Sequence, residues 1–215
     1  MSPEHEQMTL PMETGEASAP EQPRSISRDD LIQLPIQSFR GPVDVIDNDD
    51  AAPAAIEALE RETLLGFDTE TKPVFKPGIS YPPALVQLAG EQRAYIFQLQ
   101  KLKHLDGLVR IFTNPKIIKA GIALADDLKK LQEVRAFKAA GFAEVGDLAR
   151  KLNITQTGLR SLAGLILGYR VSKREQRSNW ARPQLTPSQI TYAATDAWVS
   201  RELYLALSAR LAQKA

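Results

Sequence analysis

The segment Leu64–Glu70, "LLGFDTE", constrains this chain more than any other. A continuous apolar run bounded by turn signals reads as a buried strand. It closes on Asp68 and Glu70, beside Thr71 and a Lys-Pro turn. Side chains two apart in a strand share a face, so both carboxylates project together. Two neighbouring anions in a half-buried strand cost energy unless a cation neutralises them. Taken alone, a D-x-E pair is satisfied by water at an exposed strand edge, so its meaning depends on the rest of the chain.

The surrounding pattern is that of an α/β domain. "GPVDVIDN" alternates like a short strand, and Asn48–Glu62 reads as a helix behind an Asp-rich start. Ala84–Ala89 and Ala94–Leu99 are further strands, joined through a turn at Gly90-Glu91. Leu105–Phe112 reads as a helix, Lys116–Leu124 as a continuous apolar strand, and "ADDLKKLQEV" as a helix with acids in its first turn. Phe142–Val145 is a short strand candidate, followed by helical "GDLARKL" and "GLRSLAGLILG". A long final helix is predicted from Pro187, with Thr186 as its N-cap. Strands in a hairpin set, then alternating helix and strand, imply a mixed central sheet flanked by helices. Residues 1–28, rich in Pro, Glu, Ser and Gln, read as a disordered tail ahead of a single domain over 29–215.

Composition narrows the chemistry. The 215 residues include no cysteine and two histidines, His5 and His104. Thiol nucleophiles, disulfides, thiolate zinc sites and histidine-rich metal sites are therefore excluded. The formal charge is +1, so nucleic-acid binding would need a local basic patch. No apolar run approaches the roughly 20 residues that span a bilayer, and the N-terminus lacks a secretory pattern. The expectation is a soluble cytoplasmic protein without a membrane partner.

Two further acidic motifs change the reading of the first. "YAATD" places Tyr192 and Asp196 at i and i+4, on one helical face, among the small residues Ala193, Ala194 and Ala197. Such a face can pack close to a sheet. "GIALADDLKKL" carries Asp126 and Asp127 directly after a strand, where helix capping alone accounts for one of them.

With these three motifs in this order, the chain resembles the DEDD-superfamily 3′–5′ exonucleases, in the branch that carries a tyrosine. That branch includes ribonuclease D, the proofreading domain of family A DNA polymerases and the exonuclease domain of the Werner-syndrome protein. The first motif, D-x-E, matches Asp68 and Glu70. The second matches Gly121–Leu131 and selects Asp127 over Asp126, and the third matches Tyr192 and Asp196. "PALVQLA" and "SNWARPQLTPSQITYAATDAW" add to the likeness, which covers roughly residues 35 to 211.

The resemblance implies a ribonuclease H-like fold and a metal-dependent 3′–5′ exonuclease that releases nucleoside 5′-monophosphates from a DNA or RNA 3′ end. Asp68, Glu70, Asp127 and Asp196 would hold two divalent cations, Mg²⁺ or Mn²⁺, and Tyr192 would orient the attacking water. Hard cations suit oxygen ligands. On this reading the metal cluster sits at the sheet's edge. The segment "YRVSKREQRSNWAR" is basic, and Thr71, Lys173, Arg177 and Trp180 are candidate substrate contacts; Trp180 could stack on a base, but a place in the core or as a loop anchor is the favoured reading of it. Lys72 and Lys76 flank the first motif, and His104 reads as a surface residue at a helix start. The alternative is an inactive nucleic-acid-binding module on the same fold, against which all four acids and the tyrosine stand. Relatives often carry a helicase or helical binding domain, for which this chain has no room, so a partner protein for targeting is expected.

Overall fold

The computed structural model describes residues 25–74 and 78–214. The bulk of the tail and Lys76 therefore lie outside the described residues. The chain from Ser25 is ordered against the domain: Ser27 caps helix α1 (Arg28–Gln33), and the Ile26 amide donates to Gln156 Oε1 at 3.0 Å.

Six strands form one sheet: β1 (Val43–Ile46), β2 (Leu64–Thr71), β3 (Pro83–Ala89), β4 (Ala94–Gln98), β5 (Ile118–Gly121) and β6 (Phe142–Glu144), in the order β1-β4-β3-β2-β5-β6. β2, β3 and β4 are antiparallel neighbours, whereas β1 runs parallel to β4, and β5 and β6 continue parallel from β2. The predicted mixed sheet is present, but β2 is interior to it. β5 pairs only with Leu64–Gly66, however, so Asp68 and Glu70 lie past its end, on a stretch of β2 that pairs with β3 alone.

Helices cover both faces. Leu65 and Phe67 of β2 point into a core shared with α2 (Ala52–Glu60), α3 (Asp106–Thr113) and α4 (Leu124–Val134). Leu64 belongs to the opposite core, with α5 (Val145–Lys151), α6 (Leu159–Leu162) and α7 (Pro187–Lys214). The period-2 alternation of β2 thus serves two layers, which explains why its run is apolar throughout.

Several predicted boundaries shift. The helix expected over 48–62 begins only at Ala52, because Asn48 Oδ1 accepts from the Ala51 amide and closes a preceding turn. The strand expected to reach Leu124 stops at Gly121. Ala123 then adopts a left-handed backbone (φ 59°), which folds the chain sharply into α4. Helix α6 continues into a wider π turn over Ala163–Leu167, ended by left-handed Gly168. The Thr186 cap of α7 is as predicted, with its hydroxyl accepting from the Gln189 amide at 3.2 Å.

Candidate active site

Helix α7 crosses β2 at unusually close range, and Gly66 is the reason. A Cβ added there would lie 1.8 Å from the Ala197 carbonyl oxygen, so only glycine leaves room for the helix backbone. Ala193, Ala194 and Ala197 are fully buried along the same contact. This approach delivers the Asp196 carboxylate to the face of β2 that carries Asp68 and Glu70. Carboxylate oxygens of the three residues all lie within 4.8 Å of one another. A β-bulge between Glu70 and Thr71 ends regular pairing there.

Asp127 stands slightly apart. It is on α4, in the layer across the sheet, and approaches past the strand ends. Thr69, whose side chain faces that layer, donates to Asp127 Oδ1 at 2.6 Å. Glu144 fixes the start of α4 from outside, accepting from the Leu124 amide at 2.9 Å and from the Gly146 amide at 3.0 Å. One side chain thus caps two helix N-termini and sets the orientation of the turn that carries Asp127.

The electrostatics are those of anions gathered without a cation. Burial first, then the charges of Asp68 and the other acids, push Glu70 up to about 10. Burial and the carboxylates of Asp196 and Asp127 hold Asp68 well above the usual carboxylate range. Asp196 is raised to about 7 by burial, against the lowering effect of its hydrogen bond with Tyr192 and of Arg160. Burial also raises Asp127. The Tyr192 phenol is pushed far above its ordinary range by burial and by Asp196 and Glu70, so it stays protonated and donates to Asp196.

Directly across from Asp68 in the sheet, Gln87 is fully buried, and its amide has no hydrogen-bond partner among the described residues. Acids that repel one another and a leftover amide on the same face fit a site built around a hydrated cation, not a closed core. The donor set is oxygen only, which suits hard divalent ions.

Of the other predicted contacts, Thr71 is half-buried beside the bulge, and Lys173 and Arg177 are exposed in the segment preceding α7. Lys72 lies 5.0 Å above the Tyr81 ring. His104 is exposed next to α3, in the layer across the sheet from α7. Trp180 is corrected: it is 1 % exposed and tilted against Tyr192 with ring centroids 5.7 Å apart. It has no free face for a base and serves instead as the wall that holds Tyr192. Sequence reasoning missed Arg160, whose guanidinium lies 3.4 Å from the Tyr192 hydroxyl and also reaches the Ser172 carbonyl at 3.3 Å. It also missed Glu144. Neither residue carries a local signal, since each acts on a segment distant in sequence.

A cavity of about 340 Å³ opens onto Tyr192 and Asp196, walled by Ser172, Arg174, Glu175 and Ser188. Arg174, not Arg177, is the basic side chain that meets it.

Residues 43–212 match the family model described as 3′-5′ exonuclease. Over 147 residues the chain is 34% identical to the mouse bifunctional 3′-5′ exonuclease/ATP-dependent helicase WRN, a match covering 66% of this chain and 10% of the mouse protein. The solved Nibbler EXO domain from Aedes aegypti superposes with a TM-score of 0.74 at 25% identity, covering 82% of this chain and 93% of that domain. RNase D from Escherichia coli shares the fold, with a TM-score of 0.68 at 24% identity over 78% of this chain and 45% of that one. This chain belongs to the 3′–5′ exonuclease family and, within the DEDD superfamily, is similar to ribonuclease D and the Werner-syndrome exonuclease.

Proposed function

We propose that this protein hydrolyses phosphodiester bonds at the 3′ end of DNA or RNA and releases nucleoside 5′-monophosphates. The observation that carries this reading is the convergence of Asp68, Glu70 and Asp196 with Tyr192 bonded to Asp196. When bound, two divalent cations, Mg²⁺ or Mn²⁺, supply charge neutralisation, a more acidic water and stabilisation of the leaving oxygen. Asp68, Glu70 and Asp196 would hold one of them. Asp127, set apart on α4, serves the other.

Tyr192 keeps its proton and gives it to Asp196 in a hydrogen bond, which leaves its phenol oxygen free to accept another from the attacking water. A phenol with so high a proton affinity is no general base, so its part is orientation. Arg160 holds the ring oxygen from the opposite side. Water attacks the terminal phosphorus and gives up a proton to solvent as the bond to the 3′ oxygen of the preceding nucleotide breaks, and that oxygen takes up a proton from solvent. Thr71, Lys173 and Arg177 are the proposed substrate contacts, in the last two cases to phosphates. The absence of cysteine supports a reducing compartment, the cytoplasm, and a partner protein for targeting is part of this reading.

The test uses matched 5′-labelled DNA and RNA strands with Mg²⁺, Mn²⁺ or EDTA, and Asp68→Ala beside the wild type. A ladder shortening from the 3′ end, absent with EDTA and in the variant, is expected. Strand binding with no cleavage of single-stranded, recessed or duplex ends would overturn the proposal.

A further inference from the structure

A second cavity, of about 680 Å³, adjoins the one that opens onto Tyr192 and Asp196 and shares Ser172 and Arg174 with it. One wall is the N-terminal arm, which contributes Arg28, Leu31, Ile32 and Ile36. The other is formed by Arg160 and by residues 170–174. Five of the ten lining residues are cationic and none is acidic. Ile32 and Ile36 are large aliphatic side chains that remain 50% and 54% exposed.

The arm is fastened along its length. The Arg170 amide donates to the Pro35 carbonyl and the Gln37 amide to the Arg170 carbonyl, both at 2.9 Å, and Arg170 Nε donates to the Leu34 carbonyl at 3.0 Å. Further on, the Phe39 amide donates to Thr195 Oγ1 at 3.0 Å, next to Asp196. A Cβ on Gly164 would meet Leu31, Ile26 and Leu34 at 2.6–3.2 Å, so the helix below makes room for the arm's apolar side. All of these arm residues precede the family match at 43. The arm wall therefore lies outside the stretch that matches the family model, and the facing wall lies within it.

We infer that this groove binds the single strand running 5′ from the nucleotide being removed, with phosphates against Arg28, Lys173 and Arg174 and bases laid on Ile32 and Ile36. The inference rests on the exonuclease reading for the direction of the strand. Its chemistry rests on an acid-free basic lining with apolar surface between the charges, which suits a polyanion that carries flat apolar faces. Ser172 and Arg174 line both cavities, and Arg160 reaches from the groove to the Tyr192 hydroxyl at 3.4 Å, so the groove leads to Tyr192.

The experiment compares wild type with R28E/I32E, whose positions are exposed on α1, an element that carries none of the four acids of the site. Anisotropy of a labelled 12-nucleotide strand is read in EDTA, across a salt series. The dissociation constant is expected to rise about tenfold, and the slope of log affinity against log salt to fall by about 0.7 for the one phosphate that Arg28 no longer neutralises. With Mn²⁺, a dinucleotide too short to leave the cleft is cleaved as fast as by wild type, and the melting temperature is unchanged. Equal 12-nucleotide affinity for variant and wild type overturns the proposal, as does an equal loss on the dinucleotide. Because binding is read without metal, weakened binding together with a wild type that cleaves nothing removes the nuclease reading and leaves the groove. Residues 1–24 hold five glutamates. If changing these to glutamine tightens strand binding while R28E/I32E has no effect, the groove belongs to that segment and the proposal falls.

Discussion

At the scale of single residues, the site stores repulsion that the metal-free protein relieves by holding protons. Asp68→Asn is therefore expected to act in opposite senses on stability and on function. In EDTA the variant should melt a few degrees above wild type, on the order of 1 kcal/mol, because one buried carboxylate has gone from a crowded group. Cleavage should be lost. A thermal melt in EDTA beside a ladder assay checks both, and a less stable Asp68→Asn would contradict the raised carboxylates. Lys119 gives a second expectation. It is fully buried, donates to the Asn114 and Ile117 carbonyls at 2.7 Å, and burial lowers it to about 8. Below pH 8 the lysine is charged in both folded and unfolded chains, so the folded state bears the full burial cost. Between 8 and its ordinary 10.5 only the unfolded chain holds the proton, so stability from this group rises with pH. Melting temperatures of wild type and Lys119→Met at pH 7.5 and 9.5 should show the wild type gaining on the variant. The five residues of the three motifs were legible because each motif is a short local pattern. Trp180 kept two readings, of which the core place is the one found, because an aromatic in a basic segment looks the same whether it faces solvent or the core.

At the scale of elements, α7 and β2 define the site by how near they come. Gly66→Ala is expected to cost about 1–3 kcal/mol and to lower activity at least tenfold, since the added methyl meets helix backbone that cannot rotate away. The measurement is a denaturant melt paired with kcat. A variant as stable as wild type that remains fully active would show that α7 has room to move. The small-residue face of α7 was readable from "YAATDA", and strand order within the hairpin set followed from turn spacing. The position of β2 was not. Nothing local to Leu64–Thr71 says that β5 will pair with its first three residues and stop there, so the sequence does not show that the acids lie just past the end of a paired neighbour. The early stop of β5 was hidden likewise, because "KAGIAL" is apolar on both sides of the left-handed Ala123.

At the scale of the molecule, the site joins segments more than a hundred residues apart, so a ligand bound there clamps the fold as a whole. Mn²⁺ should raise the wild-type melting temperature with the logarithm of its concentration once saturating, the stabilisation being about 2.7 kcal/mol at a hundredfold excess over the dissociation constant. The same titration on Asp68→Asn should give a much smaller shift, and equal shifts would place the ion elsewhere. The groove beside the cleft was invisible in the sequence because its two walls, α1 and residues 170–174, meet only through tertiary contacts. The order of assembly has one more consequence. Three acids, at 68, 70 and 127, are made early and lie on elements that pair with near neighbours, while Tyr192 and Asp196 arrive on the last helix. A nascent chain halted before residue 192 lacks Tyr192 and Asp196, so under the proposed function it holds three acids and no completed centre.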